Sequence, residues 1–172
     1  MLNYEFPPLG GGSSPVTLHL GRELVRLGHE VDLVTMGGRG LAPRETVAGI
    51  RVRRVPALRL RRERCSTPEM LTYCLSAVPR LPGMVKRGRH AVNHTHFIFP
   101  TGLAARLLKL RTGLPYLITS HGSDVPGYNP DRFRLSHRIL APLWRWIVRG
   151  AALITAPSEH HAALVRSHAP WA

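Results

Sequence analysis

The residues of this chain with chemistry to offer gather in three short stretches, each following a run that reads as a buried strand. The first is Thr119-Ser120-His121-Gly122-Ser123-Asp124. Ahead of it, Pro115-Tyr116-Leu117-Ile118 is apolar, with aromatic and β-branched character. Gly122 permits the positive φ of a tight turn, and Ser123 and Asp124 are residues that bond to nearby backbone. A histidine and a carboxylate three positions apart, at the carboxyl end of a strand, lie where open α/β sheets bind ligands. The same six residues also suit an ordinary solvated turn.

The second stretch is His94-Thr95-His96, at the end of another strand-like run. Histidines at i and i+2 of a strand face the same side. A metal pair, a polar lining for the rim that carries His121, and a structural role all fit. No cysteine or carboxylate lies nearby in sequence to complete a coordination set, so we expect no metal. The third stretch is Gly10-Gly11-Gly12, followed by Ser13-Ser14-Pro15. A glycine loop running into a helix N-terminus presents backbone N–H groups and the positive end of the helix dipole to an anion. It is no Walker A loop, since no Gly-Lys-Ser/Thr follows, and no GxGxxG, since position 15 is proline. An anion-receiving loop and a merely flexible turn both remain. His160-His161, at a helix start, reads as surface.

The elements that position these stretches alternate regularly. Residues 1–4 read as the last half of a strand. Pro15 suits a first helical position and the serine before it can cap, which predicts a helix from about Ser14. That helix has Val16, Leu20, Leu24 and Leu27 on one face and ends at Gly28. Strands follow at 30–36 and 50–55. After the basic connection 59–64, a helical region begins near Thr67 and is divided by Pro79 and Pro82. Strand 91–96, helix 103–110, strand 115–118, a helix over 131–149, strand 151–156 and a helix from Ser158 complete the chain. Apolar strands alternating with helices predict an α/β fold, a parallel sheet with helices on both faces. In the 131–149 helix, kinked by Pro142, Leu135, Ile139, Leu143, Trp146 and Ile147 cover one side. Arg134, Arg138, Arg145 and Arg149 form a stripe on the other, with Trp144 and Trp146 beside it.

Length and composition agree with one folded domain over residues 1–172, with 44% hydrophobic residues and a formal charge of +14. Only Lys86 and Lys109 are lysines, so the charge is nearly all arginine. It is either a solvated surface or an attraction to a polyanion: a phosphorylated substrate, an anionic membrane leaflet or nucleic acid. No helix-turn-helix, zinc finger or RNP-like strand is visible, and we expect no nucleic-acid partner. The arginine stripe either faces water or rests on an anionic bilayer. Cys65 and Cys74 suggest neither a disulfide framework nor a zinc site. No basic run precedes an apolar one at the start, and arginines interrupt the most apolar span. These features predict a cytoplasmic protein without a signal peptide or membrane span.

Several phrases taken together resemble one family. They are Tyr4-Glu5-Phe6-Pro7-Pro8-x-Gly-Gly-Gly, Leu27-Gly28-His29-Glu30-Val31, His94-Thr95-His96-Phe97 with Pro100-x-Gly102, Thr119-Ser120-His121-Gly122-Ser123-Asp124, and Ile154-Thr155-Ala156-Pro157-Ser158. In this order and spacing they are similar to the N-terminal domain of family-4 glycosyltransferases, retaining enzymes of the GT-B fold. The resemblance implies a Rossmann-like doubly wound parallel sheet in three layers, one half of a GT-B fold. It implies transfer from a nucleotide-diphosphate sugar to a glycan or glycolipid of bacterial type at the cytoplasmic membrane face, with no metal or other cofactor. Gly11, Gly12 and Ser13 would approach the donor's phosphates and sugar, and His121 the transferred sugar, as the catalytic residue. His96 and Asp124 would line the acceptor side. Two departures accompany it. The Glu-x7-Glu phrase of the family's donor-binding half is missing, so the chain is expected to be the N-terminal portion alone, and the first strand is clipped, with only about four residues before the loop where ~5–6 are usual; a smaller departure is Ala91, where an acidic residue commonly opens the strand. A non-catalytic basic module binding anionic lipid or glycan is the alternative.

Overall fold

The glycine-loop half of the chain is built on one strand with no exposed residue. In the computed structural model, which describes residues 1–128 and 130–171 with the side chains of 130–137 excepted, β1 (Asp32–Met36) is buried at all five positions. A strand covered on both faces is the signature of a parallel sheet. β1 pairs in parallel with β3 (Ile50–Val55), Leu33 opposite Val52. β3 in turn pairs antiparallel with β2 (Arg44–Val47) to give the order β1-β3-β2. Phe6, Val31, Leu33, Ile50 and Val52 form the core on one side, closed by Leu18, Leu24 and Val25 of helix α1 (Ser13–Arg26). Helix α2 (Thr67–Ala77) starts at a Ser66–Glu69 capping box, its Tyr73 hydroxyl donating to the Val34 carbonyl at 3.2 Å. Helix α3 (Leu81–Gly88) ends this unit, Met1–Gly88.

The second unit, Arg89–Ala172, is a three-stranded parallel sheet in the order β4-β5-β6, with β4 Asn93–His96, β5 Tyr116–Thr119 and β6 Leu153–Thr155. Helix α4 (Thr101–Thr112) connects β4 to β5, and α5 (Pro130–Gly150) connects β5 to β6. Gly102 lets these helices approach, since a Cβ there would lie 3.0 Å from Ile147 Cγ2. The Tyr116 hydroxyl donates to the Ile147 carbonyl and Lys109 Nζ to that of Gly150, which ties α5 to β5 and to α4. Helix α6 (Glu159–His168) begins at Ser158, whose hydroxyl accepts from His161 N at 3.2 Å.

The alternating α/β pattern is as expected, with local corrections. The strand expected at 1–4 is reduced to one bridge, Leu2 to Val34. An unexpected strand, β2, occupies Arg44–Val47; exposed and polar at an edge, it carries no apolar pattern. Its hairpin closes through Ala48 and Gly49, both at positive φ (51° and 81°), the backbone of a type I′ turn. Ser14 does not cap α1. Gly12 holds that place, and the Ser14 hydroxyl turns back to the Leu9 carbonyl at 2.9 Å. The fully buried side of α1 is Ser13, Ser14, Thr17 and Gly21, small residues that admit close packing, while Val16 and Leu27 are exposed. On α5, Trp144, Ile147 and Val148 are buried and Ile139 is exposed. Arg138, Arg145 and Arg149 are exposed; Arg134 and Leu135 lie outside the described side chains.

The hairpin turn yields a prediction. A left-handed alanine costs ~1–2 kcal/mol, and asparagine tolerates that region better. Ala48→Asn should therefore raise the melting temperature by ~2–4 °C. An unchanged or lower value on thermal unfolding would exclude this account of the turn.

Candidate functional site

The glycine loop rests on buried polar groups. Asn3, fully buried, donates from Nδ2 to Thr17 Oγ1 at 2.6 Å and accepts the Glu5 backbone N–H at 3.0 Å. The Glu5 carboxylate then accepts the Gly11 N–H at 3.2 Å and the Ser13 hydroxyl at 2.9 Å. Gly10, at φ +102°, must be glycine: a Cβ would stand 2.4 Å from Glu5 Cβ. Gly11 and Gly12 are exposed, with nothing within 4 Å of a Cβ at either. Of the three loop residues expected to meet a donor, the two glycines are open. Ser13 is buried, its hydroxyl committed to Glu5. What the loop offers a ligand is open space over Gly11 and Gly12 and the positive end of α1, the Gly11 N–H being taken by Glu5.

Arg54 braces the loop from the sheet. It is buried, with Nη2 donating to the Pro7 carbonyl at 3.0 Å and pairing with Glu45. Neither Glu5 nor Arg54 stood out in the sequence as a site residue, although Glu5 lies inside the phrase that carried the resemblance.

The histidine loop is a separate construction on β4 and β5. His94 and His96 project to the same side and stack, ring centroids 4.9 Å apart and 8° from parallel. His121 extends the stack, 5.3 Å from His96 at 22°, with His96 Nδ1 and His121 Nε2 hydrogen-bonded at 3.0 Å. His94 Nε2 meets Thr119 Oγ1 at 2.7 Å. Phe97, at φ +72°, sets its ring 4.6 Å from His121. Lone pairs of stacked rings lie in the ring planes and do not converge, and among the described residues no group of three or more His, Cys, Asp or Glu is placed to hold a metal.

Burial governs the charge of this stack. It pushes the His94 pKa down to about 4, that of His96 to about 2, and that of His121 below its usual value. At neutral pH the three imidazoles therefore favour the uncharged form, and in the His96–His121 hydrogen bond one ring donates and the other accepts.

Asp124 faces inward. It is buried, and its Oδ1 accepts the backbone N–H groups of His121 and Gly122, each at 3.0 Å, and the Ser120 hydroxyl at 3.1 Å. Its Oδ2 accepts the Ile98 N–H at 2.8 Å. With four donors from its own chain, this carboxylate shapes the loop that presents His121. His161, expected at the surface, is 1% exposed, with Nε2 at 2.8 Å from Ser120 Oγ. The partner lies 41 positions away, so local pattern carries no signal of that burial. The structure thus brings His94, His96 and His121 together, and adds Ser120 and His161 behind Asp124.

Comparison with known proteins gives this geometry a family. A glycosyl transferase 4-like domain matches residues 11–172. The chain is 35% identical over 167 residues to 2-deoxystreptamine N-acetyl-D-glucosaminyltransferase of Streptomyces fradiae, covering 92% of this chain and 39% of that protein. It therefore spans well under half the length of that relative. Sucrose-phosphate synthase of Thermosynechococcus elongatus has a similar fold, with a TM-score of 0.73 at 17% identity over 96% of this chain and 43% of that one. A shorter chain of the same synthase gives 0.66 at 16% identity, over 92% of this chain and 80% of its own. The fold is thus Rossmann-like, of the kind found in GT-B glycosyltransferases, and the chain belongs to the glycosyl transferase 4-like family.

Proposed function

We propose that residues 1–172 form a single acceptor-side domain of a retaining, hexosyltransferase-type enzyme. It transfers a sugar from a nucleotide-diphosphate donor to a glycan or glycolipid, needs no bound metal, and is inactive without a donor-binding half. The observation that carries this reading is the placement of the His121 imidazole, held by His96 on one side and by the Asp124-anchored backbone on the other, where burial favours its uncharged form. Transfer develops positive charge at the anomeric carbon. An uncharged imidazole donates or accepts a hydrogen bond with a sugar hydroxyl without opposing that charge, as an imidazolium would. In this reading His121 touches the sugar, His96 fixes its ring and lines the acceptor side, and Asp124 is a positioning residue. Gly11 and Gly12, without side chains at the positive end of α1, leave room for the donor's diphosphate; the Gly11 N–H and the Ser13 hydroxyl hold the loop in place through Glu5.

The relative's name gives an N-acetylglucosaminyl donor group and 2-deoxystreptamine as acceptor. An amine acceptor would suit this chain poorly, since its charge of +14 repels cations. A neutral or anionic glycan or glycolipid in a bacterial cytoplasm, at the inner membrane face, fits better. No helix among the described residues is long and apolar enough to cross a membrane.

Two outcomes test the reading. Joined to a donor-binding domain of the same family, the chain should release nucleotide in an acceptor-dependent way, and His121→Ala should lower that turnover roughly 100-fold or more. Turnover unchanged in the variant would remove His121 from the reaction. The second outcome concerns pH. The folded pKa values of the stack lie below the unfolded value of 6.5, so between about pH 6.5 and pH 4 the native state binds fewer protons. Stability is then complete above pH 6.5 and lost as pH falls through that window. The melting temperature should drop from pH 7.5 to pH 5, less steeply in His94→Gln; equal values at both pH values would contradict a neutral buried stack.

A further inference from the structure

The loop after β5 rests on helix α6. A Cβ at Gly127, which holds φ +84°, would lie 3.3 Å from Leu164 Cδ1 and 3.7 Å from His168 Nε2. The Tyr128 ring stands 5.3 Å from that of His161 and also covers Gly122, where a Cβ would lie 2.7 Å from Tyr128 Cε1. Deepest in this contact is His161, 1% exposed beside a fully buried Ser120. Its place on α6 is unusual for such a residue. It is the third position after the Ser158 cap, where an acidic side chain commonly turns back to complete a capping box. Here only the His161 backbone N–H serves the cap, at 3.2 Å from Ser158 Oγ, and the ring goes inward to Ser120 Oγ at 2.8 Å.

Proton counting fixes the direction of that bond. A serine hydroxyl has one proton, and Ser120 gives it to Asp124 Oδ1 at 3.1 Å. Toward His161, Ser120 Oγ is therefore the acceptor, and His161 Nε2 carries the hydrogen. Nδ1 is buried with no hydrogen-bond partner among the described residues. A proton there would lack an acceptor, so the ring is the Nε2–H tautomer. The bonds form a directed series: His161 Nε2–H to Ser120 Oγ–H to Asp124 Oδ1, the oxygen that also accepts the His121 and Gly122 amides. Serine, histidine and aspartate in contact invite comparison with a hydrolytic triad, but the order is wrong. In a triad the carboxylate bonds the imidazole, which takes the proton of the serine. Here the carboxylate bonds the serine, and Ser120 does not meet solvent.

We propose that His161 is a positioning residue for His121. Sealed from solvent, it acts only through Ser120. It orients the Ser120 hydroxyl, the hydroxyl completes the donor set of Asp124 Oδ1, and that oxygen fixes the backbone from which the His121 ring projects. The Ser120 backbone is held separately by β6, its N–H on the Thr155 carbonyl at 2.9 Å. Loss of the imidazole therefore frees the side-chain half of the restraint and leaves the strand end in place. The effect on turnover rests on the sugar-transfer reading above; the series of bonds does not.

The test begins with the 172-residue chain. Nitrogen NMR of the imidazoles should show His161 as the Nε2–H tautomer; the Nδ1–H form would overturn the proposal. Hydrogen exchange then reads the loop. His161→Leu removes the donor and keeps the backbone cap. It should speed exchange of the His121 and Gly122 amides about tenfold. The Asn93 amide, bonded to the Pro115 carbonyl in the same unit, should be unaffected. Ser120→Ala, a smaller change that breaks the same series, should free the same two amides. His161→Gln, whose amide nitrogen donates from nearly the same place, should keep them within about twofold of the parent. Equal acceleration at Asn93 in both the leucine and the alanine variant, or no recovery with glutamine, would show a packing role only and overturn the proposal. Joined to a donor-binding domain of the family, His161→Leu should lower kcat roughly tenfold with the donor KM unchanged, and His161→Gln should recover most of it. A parental kcat in His161→Leu, in an enzyme that His121→Ala disables, would also overturn it. An inert His121→Ala with the exchange pattern intact would overturn the sugar-transfer reading alone.

Discussion

The histidine loop depends on the Asp124 carboxylate. A loop between a strand and a long helix has backbone donors that must be bonded somewhere, and here one side chain collects those of His121, Gly122 and Ile98 together with the Ser120 hydroxyl. Buried carboxylates are costly without such partners and strongly directing with them. The Ile98 bond extends the hold to the β4–α4 connection, and Trp144 fastens the Asp124 carbonyl to α5. The direction of the His121 ring is therefore set by elements far apart in sequence, all converging on one residue that never faces the solvent itself.

The glycine loop obeys the same logic with different residues. Asn3 and Glu5 stand beneath it and take up its amides and the hydroxyl of Ser13. The Glu5 carboxylate is committed to these internal donors, and the exposed Gly11 and Gly12 lie at the positive end of α1. In both loops an acidic neighbour holds the backbone.

How much of this was legible in the sequence follows from what each feature depends on. Elements announced by local signals were readable: the start of α2 near Thr67, the end of α1 at Gly28, the division of the helical region around Pro79 (Pro82 falls in the first turn of α3), and the shared face of His94 and His96. Strand β2 was not, because an exposed edge strand has no apolar alternation and its turn uses Ala-Gly where Asn-Gly would have signalled it. The buried side of α1 was misjudged because close packing selected serine, threonine and glycine over leucine. The inward turn of Asp124 and the burial of His161 rest on contacts across long stretches of chain, so residue type showed that they matter but not which way they face.

The Gly10 N–H donates to the Arg62 carbonyl at 2.7 Å, which ties the glycine loop to the basic connection 59–64. The tie is backbone to backbone, so it does not depend on the side chain at position 62, and the place of the glycine loop is fixed in part by a segment far along the chain.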